Sequence, residues 1–450
     1  DEISGEFWVN GDLGSVELRD AASCAHIYGK NVVWAEAFTG GIPFANSPRD
    51  LKARGDWAFS EGINQFVLHL VIHQPWDDKR PGVNAWFGTE FNRHNTWYDH
   101  AGPWVDYLRR CTVLLQRGLP VADAAYFIGE DAPKMAGVRR PELPAGHDYD
   151  YINAEVIETR LSVKDGRFVL PDGVSYGILV LPPSETMRPG LLKKIGELAA
   201  AGGAVFGPAP LRSPSLENYP ACDDEVKRLA ADLWGGGRIL TGDTLDAAFA
   251  KLGLTPDLVC PADMLWKHRR DGETDIYFVS NQKDAARDET LSFRVDGKAP
   301  ELWDAETGRI TAEPPYTAAN GRVDVPLHFD AHSSVFVVFR TPAEGGGRPA
   351  PAPKAPKVLA ALDGPWTVAF PFGEETFKTL ASWTESRNDD VKYFSGEAVY
   401  RAEFKTDETK GVRLDLGAVH DTAVVRVNGK ELSTLWKEPY RLDISAALRP

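Results

Sequence analysis

The sequence predicts a multidomain chain, α/β in its first part and all-β in its last, whose opening stretch reads as the final strands of a βα barrel. Three observations carry this. Apolar Val-rich runs alternate with amphipathic segments up to about residue 260, the pattern of parallel strands joined by helices. Period-two segments (DIYFVSN, TLSFRV, ELWDAETGRI, GRVDVPL, SSVFVVF) take over from 265 to 340, as antiparallel strands of a sandwich do. The stretch TPAEGGGRPAPAPKAPK (341–357) can pack no core and reads as a linker to a second β-rich segment.

In chain order, residues 18–29 (LRDAASCAHIYG) form a helix closed by Gly29. NVVWAEAF (31–38) is a short apolar strand buried on both faces. A helix over 47–62 has a Ser N-cap and a Gly stop, and INQFVLHLVIHQPW (63–76) is a second buried strand running into an aromatic loop. Trp104, Tyr107, Leu108, Cys111, Leu114 and Leu115 make a helical stripe over 103–118. Two parallel strands close nothing, so the sequence reads as cut inside a barrel, and the chain as a fragment or mature product. A flavodoxin-like layer follows over 121–262: strands at 121–129, 176–182 and 204–208, a helix at 189–201, and a hairpin or edge strand at 166–173. Residues 263–340 are a β-sandwich. Residues 358–450 are a second sandwich, incomplete at Pro450, with Asn428-Gly429 as a type I′ turn.

Composition narrows the partners. A net charge of −15 with a pI near 5.2 excludes the basic surface that nucleic acid or an anionic membrane needs. No apolar run of eighteen residues exists, so no membrane span is expected. The four cysteines form no CxxC pair and read as small core residues. Neither GxSxG, HExxH, a P-loop, GxGxxG after a strand nor an EF-hand loop is present.

Glu36 stands out. It ends an apolar strand in WAEAFTG, flanked by Trp34 and Phe38, just before a Gly-rich loop. Catalytic groups of βα barrels come from such strand ends, and a carboxyl among aromatic rings suits acid/base work. The plainer alternative is a Glu that starts a surface loop. His69 and His73 lie four apart, on one face if the strand is regular that far. Hydrogen bonding to hydroxyls, or structural use, suits them better than a metal pair, for want of a third ligand nearby. Trp76, Trp86 and Trp97, with Arg93 and His94, lie in the loop after that strand and form a candidate substrate wall, since sugar C–H faces stack on indole. Trp57 and Trp104 fall on helical stripes and read as core.

SCAHIYGKNVVWAEAFTG, GDWAFSEGINQFVLHLVIHQPW, FGTEFNRHNTWY and YLRRCTVLLQRGLPVADAAYFIGED together resemble glycoside hydrolase family 106, the α-L-rhamnosidases. HRRDGETDIYFVSNQ, LWDAETGRI, YFSGEAVYRAEF and LDLGAVHDTAVVRVNGK extend the resemblance over essentially the whole chain. It implies a (β/α)8 barrel, a galactose-binding-like last sandwich, inversion by two carboxylates, and often calcium, whose ligands the sequence does not identify. NVVWAEAF matches strand seven and INQFVLHL strand eight, which makes Glu36 the general base. The resemblance places the partner acid upstream, in an N-terminal half absent from this chain. The chain alone is therefore expected to be inactive and poorly folded at its N-terminus. The expected substrate is an oligosaccharide or glycoside with terminal L-rhamnose, bound by Trp34, His69, His73, Trp76, Arg93 and Trp97, and the expected location is periplasmic or secreted. A retaining β-galactosidase-like enzyme and a non-catalytic carbohydrate-binding protein are the alternatives.

Overall fold

The computed structural model describes residues 2–11, 16–130, 139–343, 345–349 and 356–449. The chain divides into two compact units: residues 1–41, 50–69 and 106–350 form one, and residues 42–49, 70–105 and 351–450 the other.

The first unit opens with a βαβαβ run: β1 (Ile3–Trp8), α1 (Glu17–Ile27), β2 (Val33–Thr39), α2 (Pro48–Ser60) and β3 (Gln65–Leu68). The strands are parallel in the order β1-β2-β3, with Glu6 beside Glu36 and Glu36 beside Val67. β1 was not visible in the sequence pattern, because ISGEFW sets Ser4, Gly5 and Glu6 between Ile3 and the adjacent rings of Phe7 and Trp8, which breaks the alternation. On one face Val33, Ala35 and Ala37 are fully buried, while Trp34 and Glu36 on the other stay partly open. Behind the sheet, Phe7, Phe38 and Phe66 meet edge to face at 5.0–5.4 Å, and Phe59 stacks on Phe66 at 4.5 Å. Gly55 lets α2 close on this cluster, since a Cβ there would stand 3.1 Å from the Phe38 ring.

The strand expected over 63–76 is shorter. Its ladder with β2 covers only Trp34–Ala37, because Phe38 takes a left-handed φ of 66°. That bulge shifts the register so that Trp8 pairs with Thr39. The ladder with β2 ends at the His69 amide, which donates to Ala37 O at 2.9 Å, and the chain then leaves the sheet to pair Leu70 with Thr89 and Phe91. The regular strand that would carry His69 and His73 on one face therefore does not exist.

α3 (Gly102–Leu115) follows, then a parallel sheet in the order Val205–Phe206, Ile178–Val180, Ala124–Phe127, Tyr149–Ile152. Helix Pro189–Ala200 covers it with Leu191, Leu192, Ile195 and Leu198. Two antiparallel sheets of five and six strands come next, packed around Tyr277, Val279, Leu291, Phe293, Val325, Val337 and Phe339. Residues 344 and 350–355 of the Gly/Pro/Ala stretch lie outside the described residues, while Gly347–Arg348 adds a short strand beside Tyr316–Thr317. All four cysteines are free thiols.

Buried ion pairs hold these layers to one another. Asp148 accepts from Arg19 at 2.7 Å and from Lys267 at 2.7 Å. Asp150 accepts from His26 at 2.8 Å and from Tyr176 at 2.9 Å. Lys52 bridges Asp56 at 2.6 Å and Ser334 at 2.8 Å, and Tyr107 also donates to Asp56. His268, fully buried and stacked on Tyr277 at 3.8 Å, stands between Asp257 at 2.8 Å and Asp275 at 3.1 Å.

Burial opposes the charged imidazole of His268, but Asp257, helped by Asp275, outweighs it and raises its pKa. A raised folded pKa contributes stability that is fully present below the unfolded value of about 6.5 and fades as pH rises through the folded pKa. Thermal melts should therefore show a loss of stability on raising pH above about 6.5 that His268→Gln abolishes. An equal slope in that variant would assign the dependence elsewhere.

In the second unit, Trp366–Phe370 lies between Gly373–Phe377 and Val399–Arg401. Ala423–Val427 and Lys430–Leu435 form a hairpin. Asn428 and Gly429 at its turn have φ of 51° and 81°, as a type I′ turn requires.

Candidate active site

Strand alternation and the parallel register put Ser4, Glu6 and Trp8 of β1, Trp34 and Glu36 of β2, and Gln65 and Val67 of β3 on the open face of the sheet. Glu36 is central in this row. Its side chain keeps 39% of its surface accessible. Thr39 Oγ1 donates to its Oε1 at 3.3 Å, and His69 Nε2 stands 3.6 Å from the same oxygen. Of the two aromatic rings expected to wall it, only Trp34 shares its face; the bulge turns Phe38 fully into the core.

A cavity of about 590 Å³ adjoins this row, lined by Ser4, Glu6, Trp34 and Glu36 of the sheet and by Asp20 and Cys24 of α1. Trp34 Nε1 is buried with no hydrogen-bond partner among the described residues. A buried donor left open is costly unless something accepts from it, so this N–H is suited to a ligand hydroxyl. Glu6 accepts from Trp8 Nε1 at 2.7 Å. Neighbouring strands lie about 4.8 Å apart, so Glu6 and Glu36 share one patch of negative potential.

Chemically, the row offers a carboxylate open to water, an imidazole and a hydroxyl beside it, and an indole donor. Glu6, Trp8 and Thr39 carry no local signature of a site in the sequence. The signal for Glu6 was the ISGEFW alternation, legible only once β1 is known to pair with β2.

The other expected site residues belong to the second unit. His73 is exposed. Trp76 is 49% exposed, with Lys79 Nζ over its ring at 4.7 Å. Trp86 is 83% exposed, its ring 4.4 Å from Phe87. These two remain available to stack on a sugar. Arg93 is a brace within its own loop, donating to Asp77 at 2.8 Å and Gln74 O at 2.7 Å. Trp97 is corrected from wall to core: it is 7% exposed, packs on Phe91 and Trp104, and donates to Asn46 O at 3.0 Å. Indole burial is set by what the loop folds onto, which local sequence does not reveal.

Calcium takes six to eight oxygen ligands. No group of three or more His, Cys, Asp or Glu side chains able to hold a metal occurs among the described residues. Glu6 and Glu36 alone do not complete such a site, so no step is routed through a metal.

A solved rhamnosidase from Novosphingobium sp. PP1Y superposes with a TM-score of 0.92 at 37% identity, over 99% of this chain and 45% of that one. A curated protein of Formosa agariphila named "Putative beta-glucuronidase" is 38% identical over 350 residues, which is 76% of this chain and 30% of that protein. Both names describe glycosidases. The family model for α-L-rhamnosidases matches residues 1–317, and the chain belongs to glycoside hydrolase family 106. It spans less than half the length of either relative.

Proposed function

We propose that this chain carries the general base of an inverting, exo-acting α-L-rhamnosidase, and that Glu36 is that base. The observation that carries the proposal is the place of Glu36 in the middle strand of a parallel sheet, three residues before that strand ends at Thr39, on the open face beside Trp34 and His69. In this reading β2 and β3 are barrel strands seven and eight, and β1 is strand six. Residues 121–262 are then a flavodoxin-like domain, and residues 263–340 and 358–450 two sandwiches. Glu36 takes a proton from water as the water oxygen bonds to the anomeric carbon. The glycosidic C–O bond breaks, and a second carboxylic acid protonates the departing oxygen. A chain spanning 45% of its solved relative leaves that acid to the rest of such an enzyme. Trp34 donates to a sugar hydroxyl. Calcium, where the family uses it, and a periplasmic or secreted location complete the proposal.

The name of the Formosa relative favours a second reading, a β-glucuronidase. A glucuronide brings its own carboxylate, and the open face presents Glu6 and Glu36 with no Lys or Arg among them. Like charges brought together cost binding energy, so a neutral deoxy sugar is the better match. Proton NMR of the first product separates these readings. An aryl α-L-rhamnoside should give β-L-rhamnose before mutarotation, whereas α-L-rhamnose would mean retention. Faster turnover of an aryl β-D-glucuronide would replace the substrate, and glycan binding with no turnover of either would support a binding protein.

A further inference from the structure

The loops that leave the carboxyl ends of β2 and β3 belong to the same compact unit as the C-terminal β-rich segment. Trp97 Nε1 donates to Asn46 O and so ties loop 70–105 to loop 42–49. Arg49, in the first turn of α2, reaches the C-terminal segment at three points. It donates to Val419 O at 3.4 Å, stands 3.7 Å from Glu438 and hydrogen-bonds the Tyr440 hydroxyl. Tyr440 is itself 1% exposed and donates to Asp421 O at 2.6 Å. His100 Nε2 lies 2.7 Å from Glu397 Oε1. Within the longer loop, the Leu70 amide donates to Thr89 O at 2.8 Å, the Phe91 amide to Leu70 O at 3.0 Å, and the Asn95 amide to Asn92 O at 3.0 Å.

We infer that the C-terminal β-rich segment braces these two loops for catalysis through Arg49 and His100, and is not a separable glycan-binding module. The inference rests on the reading of Glu36 as the base, since both loops emerge from the strand ends that bear Glu36 and His69. Arg49 and His100 are positioning residues in this scheme. Their ion pairs are partly exposed, and such pairs contribute little to global stability. Removing them therefore loosens the loops without unfolding the chain.

Hydrogen exchange on the 450-residue chain tests the brace directly. Arg49→Ala combined with Glu397→Gln should speed exchange of the Leu70, Phe91 and Asn95 amides about tenfold or more, while β1–β3 keep their protection. Unchanged loop exchange would overturn the inference. Should β1–β3 lose protection as well, Glu397→Gln alone, which removes only the contact to His100, is read at the same three amides, where unchanged exchange again overturns the inference. In a preparation that hydrolyses an aryl α-L-rhamnoside, the double variant should lower kcat/KM about tenfold or more, and lysine at position 49 should restore part of it. Faster loop exchange with unchanged turnover would also overturn it. Glu36→Gln, measured alongside, decides the base assignment separately, so the two failures are distinguishable.

Discussion

In an enzyme that carries this chain together with the partner acid, Glu36→Gln is expected to lower the turnover of an aryl α-L-rhamnoside by about 10²–10⁴-fold while leaving affinity for rhamnose within a few-fold. The amide keeps the shape of the side chain and its contact with Thr39, but cannot take the proton of an attacking water. The effect belongs to kcat, because the base is needed when the water oxygen bonds to the anomeric carbon and not when the sugar docks. Full activity in the variant would remove Glu36 from the mechanism. An equal loss in affinity would make it a binding group.

The second large effect concerns folding. Asp148→Ala is expected to cost about 3–5 kcal/mol of stability, read as a lower urea midpoint at unchanged slope. Asp148 is nearly inaccessible and neutralises both Arg19 and Lys267. Removing it strands the buried Lys267 and leaves Arg19 with Glu61 as its remaining ion-pair partner. Burial alone would raise its pKa, but Arg19 and then Lys267 outweigh that and hold the carboxyl far below the usual range. A depressed folded pKa contributes stability that is present above the unfolded value of about 3.9 and is lost as pH falls through the folded one. The wild-type chain should therefore lose stability on acidification below about pH 4, and the variant should lack that part of the slope. Adding Lys267→Met to Asp148→Ala should recover some of the loss, since one stranded charge goes with it. A midpoint shift near zero would mean that water reaches this site and screens it.

These two residues mark what the sequence could and could not show. Glu36 was legible because an apolar run ending in a carboxylate before glycine is a local signature, and strand burial made it conspicuous. The helices were legible for the same reason: the stripe from Trp104 to Leu115 and the run from Leu191 to Leu198 state their period openly. Asp148 was invisible because its importance comes from Arg19 and Lys267, each more than a hundred residues away. β1 was missed because Gly5 interrupts the only alternation it has. His73 was misplaced because composition continues strand-like through HLVIHQPW, whereas a strand ends where its partner ends. Trp97 and Trp76 have the same side chain and the same loop, yet one is core and one is surface. Exposure is a property of the packed loop, and no window of sequence contains it.

The bulge at Phe38 also bears on how this segment can change over time. Thr39 pairs with Trp8 only because one extra residue is spent at φ 66° on a buried phenyl. Inserting a single residue between Phe38 and Thr39 would put the newcomer opposite Trp8, turn Thr39 to the opposite face and take its hydroxyl away from Glu36. Substitution here can be graded, since another side chain fills the phenyl pocket better or worse. A change of length cannot be graded in that way. Among descendants of this chain, segment length at 36–39 should therefore be inherited more strictly than the identity of the residue at position 38.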